Sequence, residues 1–584
     1  MKRKTLYDVG LCLLATAVLF AAQSARAADK VSADRLLPPD VKVFVSISNV
    51  EEVKQRWPQT LFGQLQRDED VAEFRKAVEL QLSKLSAEWE KQIGVKMKDM
   101  LGVPSGELTF GLWQTAGKSL SAVVLLDFGE SEATMEKLLE RADKALSEQQ
   151  AERKVDEFEE TRITTYTVPS DEDEDDKDGH SFSYFLKDSF VVFGTDISAL
   201  ETVLARWDGK HSQTFADNKT YRYIIERCKS EQGQPLFRWY VDPIGLAQNA
   251  IVAQKNPQLQ MMFGMLPILG INQLQAIGGS IDIATGQYDS ISRMVVYADA
   301  PRHGVLNVFQ FPAVQQKPPQ WVSAATSTYL AVNWDVAGAY AAIETLFDSF
   351  RGPGALAKLM DGVANSETGP KLHPKKDLID LLSGRIHILF DGENSQGKND
   401  DAEADELPQQ RMLVALGLKD SDKMKAVLEK IAGIPGFPGK SRQFRGETLY
   451  ELPLVLLAGA GSGTMGLGVA REHLMIASQV TLLEDVIRAG KDQKSLAETA
   501  EYRRNAGQFP AKTSILGFQK QGTQAKAGYE LLRSGGLGVL IPGIDFTKLP
   551  PFGTVQKYLR ASGSYFVPDE HGAYAVSFTL RDKD

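Results

Sequence analysis

The sequence predicts an α+β protein made of two homologous tandem units, each a mainly antiparallel sheet covered by helices on one face. Three observations support this fold class. Strand-like and helix-like stretches run through the same order twice, short turns join most neighbouring strands, and helical stretches come singly or in pairs between hairpins. Short turns favour antiparallel pairing, because parallel strands need long crossover connections.

The duplication is predicted from matches that keep both order and spacing. Seven short matches recur in one order, with offsets close to 280 residues. Examples are Thr60-Leu61-Phe62 with Thr345-Leu346-Phe347, Ser105-Gly106 with Ser383-Gly384, and Tyr166 with Tyr450. Collinear matches of this kind indicate two units, which we place at residues 28–314 and 315–584, with the Pro-rich stretch 311–320 as the linker.

Each unit is predicted to begin with a strand, VKVFVSISN in the first unit, followed by helices. The long helix that follows has apolar residues at three- and four-residue steps, which predicts one buried face. These residues are Val71, Phe74, Val78, Leu82, Leu85 and Trp89. The rest of the unit is predicted to contain, in order, two strands, a helix, three strands, two helices, a strand, an apolar helical stretch and a terminal hairpin.

The first 27 residues have the pattern of a signal peptide rather than of a folded element. Three basic residues, Lys2 to Lys4, precede an apolar run at residues 9–22, and Ala25-Arg26-Ala27 is a small-x-small cleavage site. An uncleaved membrane anchor is the alternative, although the run is short for a membrane span. We therefore expect an exported protein, periplasmic or extracellular, with no integral membrane span after cleavage.

The charge balance is acidic. The full chain carries a net charge of −10, and residues 1–27 carry four basic residues and one acidic residue, so the remaining chain would carry −13. An acidic surface argues against nucleic acid and anionic membranes as main partners.

The search for catalytic chemistry gives no motif. The seven His residues form no His-Glu-x-x-His pair, and Cys228 would be the single Cys after signal cleavage, which excludes Cys-based zinc sites. We expect Cys228 to be a buried structural thiol rather than a reactive one. The sequence thus predicts no catalytic residues, no metal site, no cofactor and no enzyme activity, while a dispersed triad stays open because triads are recognised by geometry.

Two loop patterns resemble binding motifs. Residues 461–466 fit Gly-x-Gly-x-x-Gly, but a strand-like stretch follows where a dinucleotide site needs a helix, so we expect a connector. The acidic runs at residues 170–179 and 391–406 lack the order of an EF-hand loop, so we expect solvated hairpin tips, with weak calcium association as the alternative.

The remaining candidate site is apolar. The stretch LQMMFGMLPILGI supplies a possible surface for a hydrophobic ligand or partner, and residues 537–555 are its counterpart in the second unit. A core helix or a contact between the units is the simpler interpretation. The candidate residues are Met261, Met262, Met265, Leu266 and Ile268.

The start of the first unit resembles a family of uncharacterised exported bacterial proteins that begin with Leu-Pro-x-Asp-x-x-x-x-Val after a signal peptide. Leu37-Pro38-Pro39-Asp40 and Val45 match this pattern, whereas the second unit lacks it. The resemblance implies no catalytic residues.

Three hypotheses about function follow. The first is an exported non-enzymatic protein that binds or scaffolds an unknown protein or ligand. The second is a carrier of a hydrophobic ligand or lipid, which would use the Met-rich stretch and its counterpart. The third is a hydrolase with a dispersed site, which requires a cleft where a His meets a carboxylate or a hydroxyl.

Overall fold

The structure is a computed structural model that describes most of the chain between residues 31 and 582. The description leaves out residues 94, 97–98, 100–101, 116–119, 169–179, 210, 212, 232, 255, 368, 392–410, 454–463, 491–492, 521–522 and 536–543. The predicted signal peptide, residues 1–27, lies outside the described residues.

Twenty strands form one sheet within the described residues. They are β1 Val43–Ile47, β2 Leu108–Gln114, β3 Leu120–Asp127, β4 Glu152–Phe158, β5 Thr161–Val168, β6 His180–Lys187, β7 Phe190–Gly194, β8 Phe237–Val241, β9 Leu274–Thr285, β10 Tyr288–Ala298, β11 Thr326–Asn333, β12 Leu382–Asp391, β13 Arg411–Leu418, β14 Lys440–Phe444, β15 Glu447–Pro453, β16 Thr464–Ala470, β17 His473–Ala477, β18 Ile515–Gln519, β19 Ser562–Asp569 and β20 Gly572–Leu580.

The α-helices of the described part vary from one turn to six turns. They are α1 Val50–Arg56, α2 Leu61–Leu65, α3 Ala72–Ile93, α4 Glu132–Glu148, α5 Ile197–Leu204, α6 Lys219–Arg227, α7 Pro243–Gln254, α8 Pro257–Gly264, α9 Leu266–Leu269, α10 Val336–Arg351, α11 Ala355–Ala364, α12 Ser421–Ala432, α13 Val480–Arg488, α14 Ala500–Ala506, α15 Thr523–Arg533 and α16 Phe552–Gln556.

The strand pairing follows one pattern in each half of the chain. In the first half, residues 31–314, the order across the sheet is β4-β5-β6-β7-β3-β2-β1-β8-β9-β10. In the second half, residues 315–582, it is β14-β15-β16-β17-β13-β12-β11-β18-β19-β20. All these pairs are antiparallel, which confirms the predicted combination of helices with antiparallel strands.

The two halves meet at the last strand of each. β10 pairs antiparallel with β20, and Val295 lies opposite Tyr574 in the register. Tyr574, Val576 and Phe578 of β20 belong to the same buried cluster as Phe44 of the first half. The halves therefore share a hydrophobic core as well as a strand ladder.

A capping-box motif precedes a helix in each half. A capping box links Thr214 and Asp217 before α6, and another links Ser495 and Glu498 before α14. In each box the carboxylate accepts a hydrogen bond from the backbone N–H of the capping residue, at 3.0 Å for Thr214 and 2.8 Å for Ser495, which orders the turn that leads to the helix.

One strand in each half was missed by the sequence prediction, which placed three strands between α4 and α5. The structure has four, because β4 pairs with β5 as an extra edge strand. Its sequence, ERKVDEF, shows no apolar alternation, since its side chains are largely exposed. The equivalent strand β14 is also charged and exposed.

The predicted loops lie between strands, as expected. The acidic run at residues 170–179 falls between the paired strands β5 and β6. Most of the other run falls between the paired strands β12 and β13. Both acidic runs lie mainly outside the described residues, and so do residues 461–463 of the Gly-rich stretch. The rest of that stretch, residues 464–466, forms the start of strand β16. The Pro-rich linker runs along the second half, where Val314 and Thr513 exchange backbone hydrogen bonds of 3.0 and 2.9 Å.

Candidate functional site

An apolar cavity of about 650 Å³ lies between helices of the first half and the last helical segments of the second half. Most of the side chains that line it are aliphatic or aromatic. The lining residues are Ile47, Val50, Val53, Lys54, Trp57, Pro58, Phe62, Gly63, Leu65, Gln66, Arg67, Val71, Phe74, Arg75, Val78, Glu79, Leu82, Tyr529, Leu549, Pro550, Val555 and Leu559. We call it the inter-half cavity.

Helix α3 forms the longest wall of this cavity. Phe74, Val78 and Leu82 recur at four-residue steps, so they lie on one face of the helix and line the cavity together. Asp68 orders the turn before the helix by accepting a hydrogen bond of 3.0 Å from the Asp70 N–H. The described part of the predicted apolar face, from Val71 to Leu82, therefore lines a cavity.

The segment from α1 to α2 is the other part of the first half that lines the cavity. Asn49 caps α1 by accepting a hydrogen bond from the Glu52 N–H at 2.9 Å. Pro58 follows α1, and Thr60 then caps α2 through the Gly63 N–H at 2.9 Å. A Cβ at Gly63 would lie 2.0 Å from the Trp57 carbonyl oxygen, so this close turn requires glycine.

The second half supplies the remaining wall through residues near α15 and α16. The Tyr529 hydroxyl donates a hydrogen bond of 2.8 Å to the Pro550 carbonyl, which holds this segment against α15. Burial raises the pKa of Tyr529 to about 12, so its phenol stays neutral at physiological pH.

Polar contacts fasten the second-half wall to the first half. Tyr558 donates to Asp68 Oδ2 at 2.9 Å, and Thr554 donates to Asp70 Oδ2 at 2.7 Å. The rings of Phe74 and Phe546 lie 6.1 Å apart next to these bonds. The cavity thus exists only because the two halves pack against each other here.

Four charged side chains line the cavity: Lys54, Arg67, Arg75 and Glu79. Burial lowers the pKa of Lys54, and the nearby Glu51 carboxylate partly opposes that shift. Lys54 Nζ donates to the Pro104 carbonyl at 3.0 Å and lies 3.9 Å from Glu51 Oε2. Arg75 donates one N–H to the Gln66 carbonyl oxygen.

A second groove, of about 380 Å³, also lies between the two halves. Here α10 of the second half faces the end of the first half, including Ile268, His303 and Asn307. Small residues such as Ala341 and Ala342 line it together with Leu346 on the α10 side, and its lining has none of the Phe and Trp side chains that line the inter-half cavity.

The predicted Met-rich surface lies mostly on the outside of the protein. Met261 and Met262 are 73% and 64% exposed, Ile268 is exposed at the second groove, and Met265 and Leu266 are half-buried. The interpretation of this Met-rich stretch as a core helix is therefore wrong. Its counterpart in the second half does reach the inter-half cavity, through Leu549, Pro550 and Val555.

Histidines were candidates for a dispersed catalytic site, and several have partners. His387 Nδ1 lies 2.9 Å from the Tyr329 hydroxyl, and the ring centroids of His387 and His473 are 5.3 Å apart. His387 is buried, and that burial together with His473 lowers its pKa to about 3. A neutral buried imidazole packed beneath Trp321 acts as part of the core.

A second histidine lies at the junction of the halves. His571 Nδ1 is 2.7 Å from Asp299 Oδ1, and its ring stacks on Tyr297 with centroids 5.0 Å apart. Lys219 also approaches Asp299, at 3.6 Å. This cluster ties the turn between β19 and β20 to the end of β10.

A buried charge network anchors the first residues of the described chain, and sequence patterns gave no sign of it. Arg238 is 3% exposed and donates to Asp34 at 3.1 Å and to Glu107 at 2.8 Å. The Tyr221 hydroxyl donates to the same Asp34 oxygen at 3.0 Å. Cys228 is free and fully buried as predicted, and burial raises the pKa of its thiol to about 12.

Within the described ranges, no three His, Cys, Asp or Glu side chains come together in a way that could hold a metal ion. Over the same part of the chain, every helix is too short or too polar to cross a bilayer. Comparisons with family models, with curated proteins and with solved structures found no match to this chain.

Proposed function

We propose that this protein is a non-enzymatic, exported carrier that holds the hydrocarbon chain of a hydrophobic ligand in the inter-half cavity. One observation carries the proposal. Both halves contribute apolar walls to a cavity of about 650 Å³, which falls inside the range of about 300 to 1,000 Å³ found for small-molecule sites.

The physical driving force comes from the lining. A hydrocarbon chain in the cavity would contact apolar side chains such as Val78, Leu82 and Val555. An apolar cavity of this kind favours apolar occupants over water, because water finds no hydrogen-bond partners there. Each methylene group moved from water into such a site contributes about 0.8 kcal/mol. A chain of ten or more carbons therefore supplies enough free energy for specific binding.

The contacts across the interface also support a carrier. The second-half wall is held to the first half by side-chain hydrogen bonds, from Tyr558 to Asp68 and from Thr554 to Asp70. Breaking two such bonds costs less free energy than separating a packed hydrophobic core. A ligand can enter when these bonds break and is covered when they re-form. A scaffold for a protein partner would not require an internal apolar cavity.

Export and internal duplication are parts of the same proposal. Residues 1–27 have the pattern of a signal peptide, and the resemblance to exported bacterial proteins that begin with Leu-Pro-x-Asp agrees with it. The recurrence of strand order and of the capping boxes at Thr214 and Ser495 supports two homologous units. In such a duplication, the inter-half cavity and the second groove would be related sites, and the second groove is the smaller of the two, at about 380 Å³ against about 650 Å³.

Equilibrium dialysis of the full chain against radiolabelled tetradecanol tests the proposal. This probe is a neutral alcohol, so its binding reports on the hydrocarbon chain alone. Replacing Val78 with Trp (V78W) fills the cavity from the α3 wall. The matched control is Leu80→Trp, because Leu80 is on the same helix but is 58% exposed and outside the lining.

We expect one equivalent of tetradecanol to bind to the wild-type protein and to L80W, and the affinity to fall at least tenfold in V78W. Circular dichroism and thermal melting establish that both variants are folded. If the wild-type protein takes up no tetradecanol, or if V78W binds as well as L80W, the carrier proposal is wrong.

A further inference from the structure

We propose that the ligand of the inter-half cavity is a single-chain amphiphile with an anionic head group, and that Arg67 and Arg75 bind that head group. This inference rests on the proposed function and adds the chemical class of the ligand. Its basis is the sign and the pairing of the charges in the cavity wall.

The cavity has the opposite charge balance from the protein as a whole. Its lining contains three cationic side chains and one carboxylate, Glu79, whereas the chain carries a net charge of −10. A cluster of positive charge in an acidic protein raises the local concentration of anions. A neutral ligand would not require it.

The two arginines differ from most cations near the cavity in having no carboxylate partner. Among the described residues, the Arg67 guanidinium is exposed and forms neither an ion pair nor a side-chain hydrogen bond. Arg75 is half-buried and uses one N–H to bind the Gln66 carbonyl, which points its guanidinium back toward the segment that carries Arg67. Most of the five N–H donors of each guanidinium therefore remain available.

Three acidic residues close to the arginines in sequence have other partners. Asp68 and Asp70 accept hydrogen bonds from Tyr558 and Thr554, and Lys557 Nζ lies 4.0 Å from a carboxylate oxygen of each. Glu73 pairs with Lys76 at 3.1 Å. Asp68 and Asp70 thus hold the interface closed, and none of the three carboxylates pairs with either arginine.

Lys54 has a different role, because it is already satisfied. Its ammonium group is bound to the Pro104 carbonyl and lies next to Glu51, and its side chain is only 9% exposed. An anionic head group placed there would have to displace both partners. The exposed and half-buried arginines therefore mark the end of the cavity where the head group lies, and the apolar residues hold the chain.

Guanidinium groups suit this role, because their planar forks bind carboxylate or phosphate oxygens with two parallel hydrogen bonds. A long-chain carboxylate and a single-chain phosphate ester share this chemistry. Equilibrium dialysis with tetradecanoate, tetradecyl phosphate and tetradecanol separates the contribution of the head group from that of the chain, and the two anions tell the carboxylate from the phosphate.

The variants are Arg67→Gln alone and Arg67→Gln combined with Arg75→Gln. R67Q changes a side chain that has no partners among the described residues, so we expect this variant to fold. It therefore still tests the inference if the double variant, which loses the Arg75 contact with Gln66, does not fold. The matched control is Arg222→Gln, because Arg222 is an exposed arginine on α6, away from the cavity lining.

At low salt we expect at least one of the two anions to bind wild-type protein and R222Q tenfold or more tightly than tetradecanol. R67Q should lose a large part of that difference and the double variant nearly all of it, so that the anions bind the double variant about as tightly as tetradecanol does. Equal affinity of the alcohol and both anions for wild-type protein, or full anion affinity in R67Q and the double variant, would overturn the inference while leaving the apolar-chain proposal intact. Failure of all three probes to bind overturns the proposed function itself.

Discussion

The Tyr558 hydroxyl donates a hydrogen bond of 2.9 Å to Asp68 Oδ2, which joins two residues that are 490 positions apart in the chain. Thr554 forms the companion bond to Asp70. Both acceptors lie in the turn that leads into α3, so the start of the longest cavity wall is bound directly to the opposite wall. The shape of the inter-half cavity depends on this contact.

Replacing Tyr558 with Phe should therefore weaken the closure of the cavity. The lost bond has a charged acceptor, which makes it stronger than a bond between neutral groups, so we expect Y558F to be less stable than the wild-type protein. Urea unfolding measures the stability change, and tetradecanol dialysis should show a faster exchange of ligand. Glu73→Gln, which removes an exposed ion pair with Lys76, is the control and should change stability by less than about 0.5 kcal/mol. A Y558F protein that matches wild type in both measurements would argue against this contact as the closure.

The apolar lining predicts a steep dependence of affinity on chain length. Each added methylene contributes about 0.8 kcal/mol, so two more carbons should lower the dissociation constant about tenfold until the cavity is full. Dialysis with alcohols of eight, ten, twelve and fourteen carbons measures the slope. An affinity that does not change with chain length would show that the probes bind at the surface and not in the cavity.

The buried histidine pair predicts a loss of stability in acid. The pKa of His387 is about 3 in the folded protein, against about 6.5 when unfolded. Below pH 6.5 the unfolded chain binds a proton that the folded protein does not. The free energy of unfolding should therefore fall as the pH drops from 6.5 toward 3, by up to roughly 5 kcal/mol from this group.

Urea unfolding at several pH values between 7 and 4 measures this effect. In His387→Asn the slope of stability against pH should be smaller, although the variant is less stable at pH 7. His211→Gln serves as the control for loss of a histidine, because His211 is exposed. An identical slope in H387N and wild type would contradict the assignment.

The buried network around Arg238 predicts a large cost for removing its cation. In Arg238→Met the carboxylates of Asp34 and Glu107 would remain buried without their partner, which costs about 3 to 5 kcal/mol in comparable sites. Thermal or urea unfolding measures the loss, with the exposed Arg222→Met as control. A loss below about 1 kcal/mol would mean that water reaches these carboxylates in the folded protein.

Much of the fold could be predicted from sequence because its signals are local. Alternation of apolar residues indicates strands such as β3, and turn and capping residues mark helix boundaries such as that at Asp196 before α5. The edge strand β4 escaped prediction because its exposed, charged side chains carry no alternation. Pairing of β10 with β20 could not be predicted, since nothing in either strand specifies a partner 280 residues away.

The candidate site was only partly predictable for a related reason. The face of Phe74, Val78 and Leu82 was visible as a helical pattern, but the same pattern serves a filled core and a cavity wall equally well. The second-half stretch that contains Leu549 and Val555 was recognised as apolar without any indication of what it would contact. The Met-rich stretch was predicted as a candidate site from its composition, yet Met261 and Met262 lie exposed on helix α8.

The most direct test of the central claim is a crystal structure of the full chain with a bromine-labelled long-chain alcohol, located by its anomalous scattering. We predict a single strong bromine peak inside the inter-half cavity, in contact with Val78, Leu82 or Val555. A peak elsewhere on the molecule, or an empty cavity at saturating probe concentration, would contradict the account.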